Sequence, residues 1–344
     1  MLNFLQNEKK PIVLTMGEPS GIATEIAIKS WLKRKKLGLP NFFLLDDFKK
    51  VDFINRRFNL KAKLVKISSA KEVNKYFSEY LPILDMEINL KFILGKPNFK
   101  NSKYVLKSID NSYDLFKKGD VSGLVTLPVC KKSLKKNGFN FCGQTEYLSS
   151  LATKKNKKQT NEIMILSTTK PEDKGTNLIV GLITTHVPLK DCLKNVNKKL
   201  IEEKISLFDR SLKKFWGHKN PKIAIASVNP HAGEGGLIGR EEISLIKPVL
   251  NKLKSNFNIK GPLSGDSCFS KDIRKNFDGI ICFYHDQGLI PIKLLDFKHS
   301  INVTGGLPFL RVSPDHGPAF DIAEKNCANS ESLCAALEFL NKNV

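Results

Sequence analysis

Three histidines stand in short polar segments that each follow an apolar run. The segments are Thr184-Thr185-His186-Val187-Pro188-Leu189, Asn229-Pro230-His231-Ala232-Gly233-Glu234 and Tyr284-His285-Asp286-Gln287-Gly288. The chain has only six histidines in all. Neutral imidazoles on a rigid frame are what a catalytic divalent metal needs, provided positions stay open for substrate. Spacings of 45 and 54 residues are too long for a zinc finger and suit a site assembled from three separate loops. Each histidine taken alone also reads as a structural or solvated loop residue. His218 and His299 sit in lysine-rich surroundings and read as surface residues.

A second constellation follows the third histidine. Lys293, Asn302 and Arg311 flank the turn Gly305-Gly306-Leu307-Pro308. Arg supplies a planar fork and Lys a point charge, so the three could converge on a phosphate or carboxylate. The competing reading is surface charge, against which the shaped Gly-Gly-Leu-Pro loop argues.

The elements that must position these residues are α/β. Apolar runs at 11–15, 41–45, 123–126, 163–167, 178–184, 223–228 and 279–283 read as buried strands, and 24–35 reads as a helix. Strands alternating with helices imply a mainly parallel sheet, in which ligands gather at the strands' carboxyl ends. All three motif histidines fall just after expected strands. The expected fold is two α/β/α layered domains flanking a cleft. Residues 1–135 plus 302–344 would form the first and 136–301 the second. No GxGxxG follows the first strand, so a Rossmann dinucleotide site is excluded.

Composition bounds the rest. The chain has 344 residues, 41% of them hydrophobic, and 56 Lys and Arg against 34 Asp and Glu, for a net charge of +22. The lysines lie in scattered small groups without interleaved aromatics, including Lys154–Lys158. That distribution reads as a solvated face and argues against a nucleic-acid partner. The seven cysteines stand singly, with no CxxC pair, as reduced cytosolic thiols do. Residues 1–10 read as a short leader, and no apolar run approaches membrane-spanning length. A cytoplasmic protein with no membrane partner is expected.

The motifs, taken in order, resemble the 4-hydroxythreonine-4-phosphate dehydrogenase family of pyridoxal phosphate biosynthesis over nearly the whole chain. The resemblance rests on Gly17–Ile22, Thr126–Lys131, Gly143-Gln144-Thr145-Glu146, Thr185–Leu189, Asn229–Glu234, Gly265–Phe269, Tyr284–Gly288 and Asp315-His316-Gly317. It implies a homodimer of the isocitrate/isopropylmalate dehydrogenase-like fold, using NAD (or NADP) and one divalent metal: zinc, cobalt or magnesium. It further implies metal ligation by His186, His231 and His285, with the active site shared across the dimer interface. Substrate contacts would come from Gln144, Thr145, Lys293, Asn302 and Arg311. The implied reaction oxidises C3 of 4-phosphooxy-L-threonine, and the β-keto acid then loses carbon dioxide to give 3-amino-2-oxopropyl phosphate.

The residues suit that chemistry. Asp266 is the candidate base and Lys293 a relay or charge stabiliser. The competing role for Asp266 is capping a helix ahead of Phe269. The segment Ser313–Ala323, with Asp315, His316 and Asp321, resembles the nucleotide loop of isopropylmalate dehydrogenase-type enzymes: a turn around adenosine, then a helix. The chain departs from the family pattern at four positions. Gln144 replaces His, Glu18 replaces Asp, and Glu324 and Asn326 stand where glycines are common. A paralogue acting on 4-phospho-threonate or 4-phospho-erythronate is the nearest rival. A phosphate acetyl/butyryltransferase-like protein, which shares the broader fold, is more distant.

Overall fold

The computed structural model describes residues 9–152 and 162–344. The lysine group 154–158 and most of the expected leader lie outside the described residues. The strands are β1 (Ile12–Thr15), β2 (Phe42–Asp46), β3 (Leu64–Ile67), β4 (Leu81–Asp85), β5 (Gly123–Val125), β6 (Ile163–Ser167), β7 (Ile179–Leu182), β8 (Ile223–Ala226), β9 (Ile259–Leu263), β10 (Gly279–Cys282), β11 (Ile301–Gly305) and β12 (Arg311–Pro314). Two compact units emerge. One is Met1–Leu151 with Phe309–Val344, and the other is Ala152–Pro308.

The chain changes unit at 151/152 and 308/309, later than the 135/136 and 301/302 read from sequence. The first difference has a packing cause. Tyr147, on the helix Gln144–Ala152, stacks with Phe139 and Phe141, and its hydroxyl donates to Asp110 at 2.6 Å. The start of that helix, with Gln144 and Thr145, is thereby held in the first unit.

In the first unit the strand order is β3-β4-β2-β1-β5-β12, with every neighbouring pair parallel. Strands β1 and β2 are buried along their whole length, so Ile-Val-Leu-Thr and Phe-Phe-Leu-Leu-Asp have no polar alternation to show. The helix Ala23–Leu37 follows the first turn and ends on Gly38, whose left-handed backbone (φ 62°) donates its N–H to Arg34 O.

In the second unit the order is β11-β6-β7-β10-β8-β9. Strand β6 runs antiparallel to both neighbours, while β7, β10, β8 and β9 are parallel. One face carries the apolar cluster of Leu166, Val180, Leu182, Ala224, Ile280 and Ile292. Gly288 sits on the helix His285–Leu295, and a Cβ there would stand 2.6 Å from Val180 Cγ1. Only glycine lets this helix lie so close to β7. Strands β3, β4, β9, β11 and β12 were not read from sequence. Strand β3 is mostly half-exposed with an exposed Lys66, and β9 contains Gly261-Pro262, so neither presents a buried-strand pattern.

Where β2 ends, Lys50 Nζ pairs with Asp46 Oδ2 at 2.8 Å, both side chains fully buried. Burial pushes the Asp46 carboxyl up from 3.8 to about 6, and Lys50 opposes that rise. The folded-state value lies above the unfolded one. This group's contribution to stability is therefore present below about pH 4 and is lost as pH rises through 6. Removing the partner cation isolates a buried carboxylate. In urea unfolding at pH 7, Lys50→Met should cost about 3–5 kcal/mol. The double variant Asp46→Asn/Lys50→Met should recover a large part of that loss. A single-variant loss under about 1 kcal/mol would show that the pair is not isolated from water.

Candidate active site

The parallel order β7-β10-β8-β9 brings four chemistry-bearing loops to one sheet edge. His186 follows β7, His285 follows β10, His231 follows β8 and Asp266 follows β9. Neighbouring strands lie roughly 4.8 Å apart, so adjacent loops can touch. The His186 and His285 rings are 5.4 Å apart, tilted by 44°. His231 Nδ1 lies 3.9 Å from Asp266 Oδ2, both side chains exposed. His285 Nδ1 is 2.7 Å from Asp286 Oδ1.

Hydrogen bonds stitch these loops together. Ile183 N donates to Cys282 O at 2.8 Å, and Thr184 Oγ1 to Phe283 O at 2.6 Å. These two bonds tie the His186 loop to the His285 loop. Gln287 spans the next gap. Its Oε1 accepts from Phe283 N at 2.8 Å, and its Nε2 donates to Ser227 O at 2.6 Å. Ser227 N in turn donates to Leu263 O at 2.7 Å, which joins the His231 and Asp266 loops. In the sequence Gln287 stands in a motif with no evident role; its signal is a side chain able both to donate and to accept, placed two residues after a candidate ligand.

The His231 loop is built from unusual backbone. His231 (φ 50°), Ala232 (φ 54°) and Glu234 (φ 42°) are all left-handed, alongside Gly233 and Gly235. Each non-glycine residue there costs about 1 kcal/mol or more. A structure sustains that cost where side-chain placement matters.

This donor set fits a divalent ion in its chemistry. Two imidazoles stand as close neighbours, and a third stands beside a carboxylate along the same edge. Among the described residues, no three His, Cys, Asp or Glu side chains already converge on one point. The donors stand instead as two pairs. Asp266 lies in a turn, and the next helix, Lys271–Arg274, is preceded by Ser270, so Asp266 caps nothing. The Ser264 hydroxyl and nearby His231 hold its carboxyl below the usual carboxylate range. Cys268, two residues on, is buried with its thiol pushed up to about 12, and so is chemically quiet.

In the first unit, Arg311 opens β12 and is only 3% exposed. Its Nε and Nη2 donate to Thr126 Oγ1 at 2.8 and 2.5 Å, and its Nη1 to Thr145 Oγ1 at 3.2 Å. Burial lowers the guanidinium to about 10, opposed by the charge of Glu146, so it stays cationic at neutral pH. Lys131 is likewise lowered by burial and faces the same carboxylate. Gln144 Nε2 donates to Leu127 O at 3.2 Å. Gln144 Oε1 and Glu146 Oε2 are buried without a hydrogen-bond partner. Thr126, Lys131 and Glu146 stand in motifs whose spacing assigns them no role; only the fold brings them together.

In the second unit, Lys293 Nζ reaches Ser300 Oγ at 3.4 Å and lies over the Phe297 ring. Asn302 Oδ1, on β11, is buried without a hydrogen-bond partner.

The expected nucleotide segment docks on the first glycine-rich turn. Ile22 N donates to Pro318 O at 3.0 Å, and a Cβ at Gly21 would lie 2.6 Å from that oxygen. Asp315 is buried, its N–H donating to Ser332 Oγ, while His316 is half-buried and Asp321 is exposed. The turn is longer than the segment Ser313–Ala323, and the helix follows it after a gap. Turns continue to Asn326, and the helix begins at Glu331. The left-handed backbone at Ala319 (φ 47°) and Asn326 (φ 53°) breaks any helical run. Asn326 tolerates that conformation in place of glycine and donates to Phe58 O at 3.2 Å. Glu324 is exposed. Glu18 is buried, which raises its carboxyl, and it accepts from Ser20 N at 3.2 Å.

Comparison with known proteins gives a consistent answer. A family model described as pyridoxal phosphate biosynthetic protein PdxA matches residues 46–340. The chain is 37% identical to the 4-hydroxythreonine-4-phosphate dehydrogenase of Bradyrhizobium diazoefficiens, covering 97% of this chain and 96% of the relative. It is 36% identical to that of Zymomonas mobilis, over 95% and 94%. Among solved structures, the 4-hydroxythreonine-4-phosphate dehydrogenase of Klebsiella pneumoniae matches with a TM-score of 0.82 at 34% identity, over 97% of this chain and 99% of that one. A sheet edge carrying three histidines and an aspartate, a buried arginine set among threonines, and full-length similarity of this order together make the chain a member of the PdxA family of pyridoxal phosphate biosynthetic proteins.

Proposed function

We propose that the chain is an NAD- and metal-dependent dehydrogenase that oxidises C3 of 4-phosphooxy-L-threonine. The resulting β-keto acid loses its carboxylate as carbon dioxide and leaves 3-amino-2-oxopropyl phosphate. The observation that carries this reading is the order His186, His285, His231, Asp266 along one edge of parallel strands. A divalent ion held by the three histidines would lower the pKa of the C3 hydroxyl and polarise the developing carbonyl, and NAD would accept the hydride.

This chain's residues supply the rest. Asp266, ionised and beside His231, takes the hydroxyl proton. Lys293 stabilises charge that builds on the enolate left by decarboxylation, and then returns a proton to carbon. Arg311, Thr145, Gln144 and Asn302 hold the phosphate and amino-acid ends, and that remote binding positions the reacting carbon. Within the first unit, two buried oxygens without hydrogen-bond partners, on Gln144 and Glu146, suit the donors of an ammonium. They therefore favour an amino acid over a phospho-sugar acid that lacks the amine. Asp315, His316 and Asp321 lie on the segment proposed to bind the nucleotide.

A homodimer with a shared active site belongs to this reading. Exposed apolar side chains adjoin each histidine loop: Leu189 after His186, Leu237 and Ile238 after His231, and Ile290 and Leu294 on the helix that His285 begins. Apolar surface of this kind ordinarily marks an interface. A cytoplasmic setting fits the seven free cysteines, and among the described residues no helix is long and apolar enough to cross a membrane.

Four outcomes test the proposal. Metal analysis and NADH production on wild type should give about one divalent ion per chain and metal-dependent turnover. His231→Ala should lose metal and roughly 100-fold or more in kcat/KM; full metal content and activity in that variant would remove the site. Steady-state assays should favour 4-phosphooxy-L-threonine over 4-phospho-threonate and 4-phospho-erythronate, and the reverse preference would sink the substrate assignment. Arg311→Lys keeps the charge but loses the fork, so KM for the phosphorylated substrate should rise roughly 10–100-fold.

A further inference from the structure

We propose that Glu242 is the positioning residue that holds His231 where it can present its imidazole to a metal. This rests on the metal reading of His231. Glu242 is fully buried and opens a π-helical turn, Glu242–Ile246, a local widening often found beside functional sites. Its Oε1 accepts from Val228 N at 2.9 Å and from Asn229 N at 2.8 Å. Its Oε2 accepts from Asn229 Nδ2 at 2.8 Å. Asn229 Nδ2 also donates to Glu241 Oε2 at 2.7 Å, which fixes the side chain that precedes Pro230 and His231.

The far side of the loop closes on the same carboxylate. A Cβ at Gly233 would lie 2.9 Å from Glu242 Oε2, and one at Gly239 would lie 2.4 Å from Asn229 Nδ2. The left-handed run His231–Gly235 therefore wraps one buried carboxylate, pinned on its entry side by three charge-assisted hydrogen bonds. Glu242 touches neither His231 nor Asp266 through any of these bonds. It acts through Asn229, by fixing the backbone from which His231 projects.

The test uses the full-length protein with Glu242→Gln, the shorter acid Glu242→Asp, and His231→Ala as reference. Zinc affinity of the metal-stripped proteins is measured by competition with a chelating dye. The visible spectrum of the cobalt-loaded proteins and hydrogen exchange at Val228 and Asn229 are recorded beside thermal melting. Glu242→Gln should melt within a few degrees of wild type, yet lose zinc affinity roughly 10–100-fold. It should also weaken the cobalt bands and expose both amides to exchange; Glu242→Asp should restore part of each. Wild-type zinc affinity and cobalt bands in Glu242→Gln, with both lost in His231→Ala, would overturn the inference and leave the metal reading standing. Unchanged zinc affinity in His231→Ala would overturn both. Should Glu242→Gln fail to fold, Glu242→Asp decides alone: wild-type affinity with fast Val228 and Asn229 exchange overturns the proposal, and weakened affinity with fast exchange supports it.

Discussion

Strands hydrogen-bonded in parallel must all release their following loops at the same edge, and the second unit depends on this constraint. Because β7, β10, β8 and β9 lie side by side, residues from 186 to 285 arrive as neighbours. Their order at the edge is not their order in the chain. Backbone and side-chain bonds through Thr184, Gln287 and Ser227 then fix the loops to one another. The imidazoles thus stand on a rigid base, which is the condition for holding an ion without paying large reorganisation at each turnover.

The first unit solves a different problem. Arg311 is buried, and its Nε, Nη1 and Nη2 donate to the hydroxyls of Thr126 and Thr145. The nearby charge of Glu146 favours the cation against the cost of burial. Arg311 therefore keeps its charge in a site dry enough for that charge to matter.

Much of this was legible in the sequence. Buried parallel strands write themselves as unbroken apolar runs, so β1, β2, β6, β7, β8 and β10 were readable. The histidines were readable because each follows such a run. The strand order was not, since pairing between distant segments leaves no local period. Nor were β3 and β9, whose exposed lysines and Gly-Pro step resemble loops. Glu242 reads as one more acidic residue on a charged helix, and only the fold shows it buried beneath Asn229. The length of the turn run after Asp315 was not legible, because left-handed residues such as Asn326 do not announce themselves unless they are glycine. Gln144 was readable as a departure from the family, but not that its amide would point one oxygen, without a partner, into buried space.

The central claim is that this row of histidines is a metal site. Crystals grown with zinc, measured above and below the zinc absorption edge, test it most directly. The account predicts one strong anomalous peak at this sheet edge, about 2.0–2.1 Å from a ring nitrogen of each of three such histidines, whether all come from one chain or some from its partner. A fully loaded protein whose anomalous peaks all lie elsewhere, with His186, His231 and His285 free of metal, would contradict it.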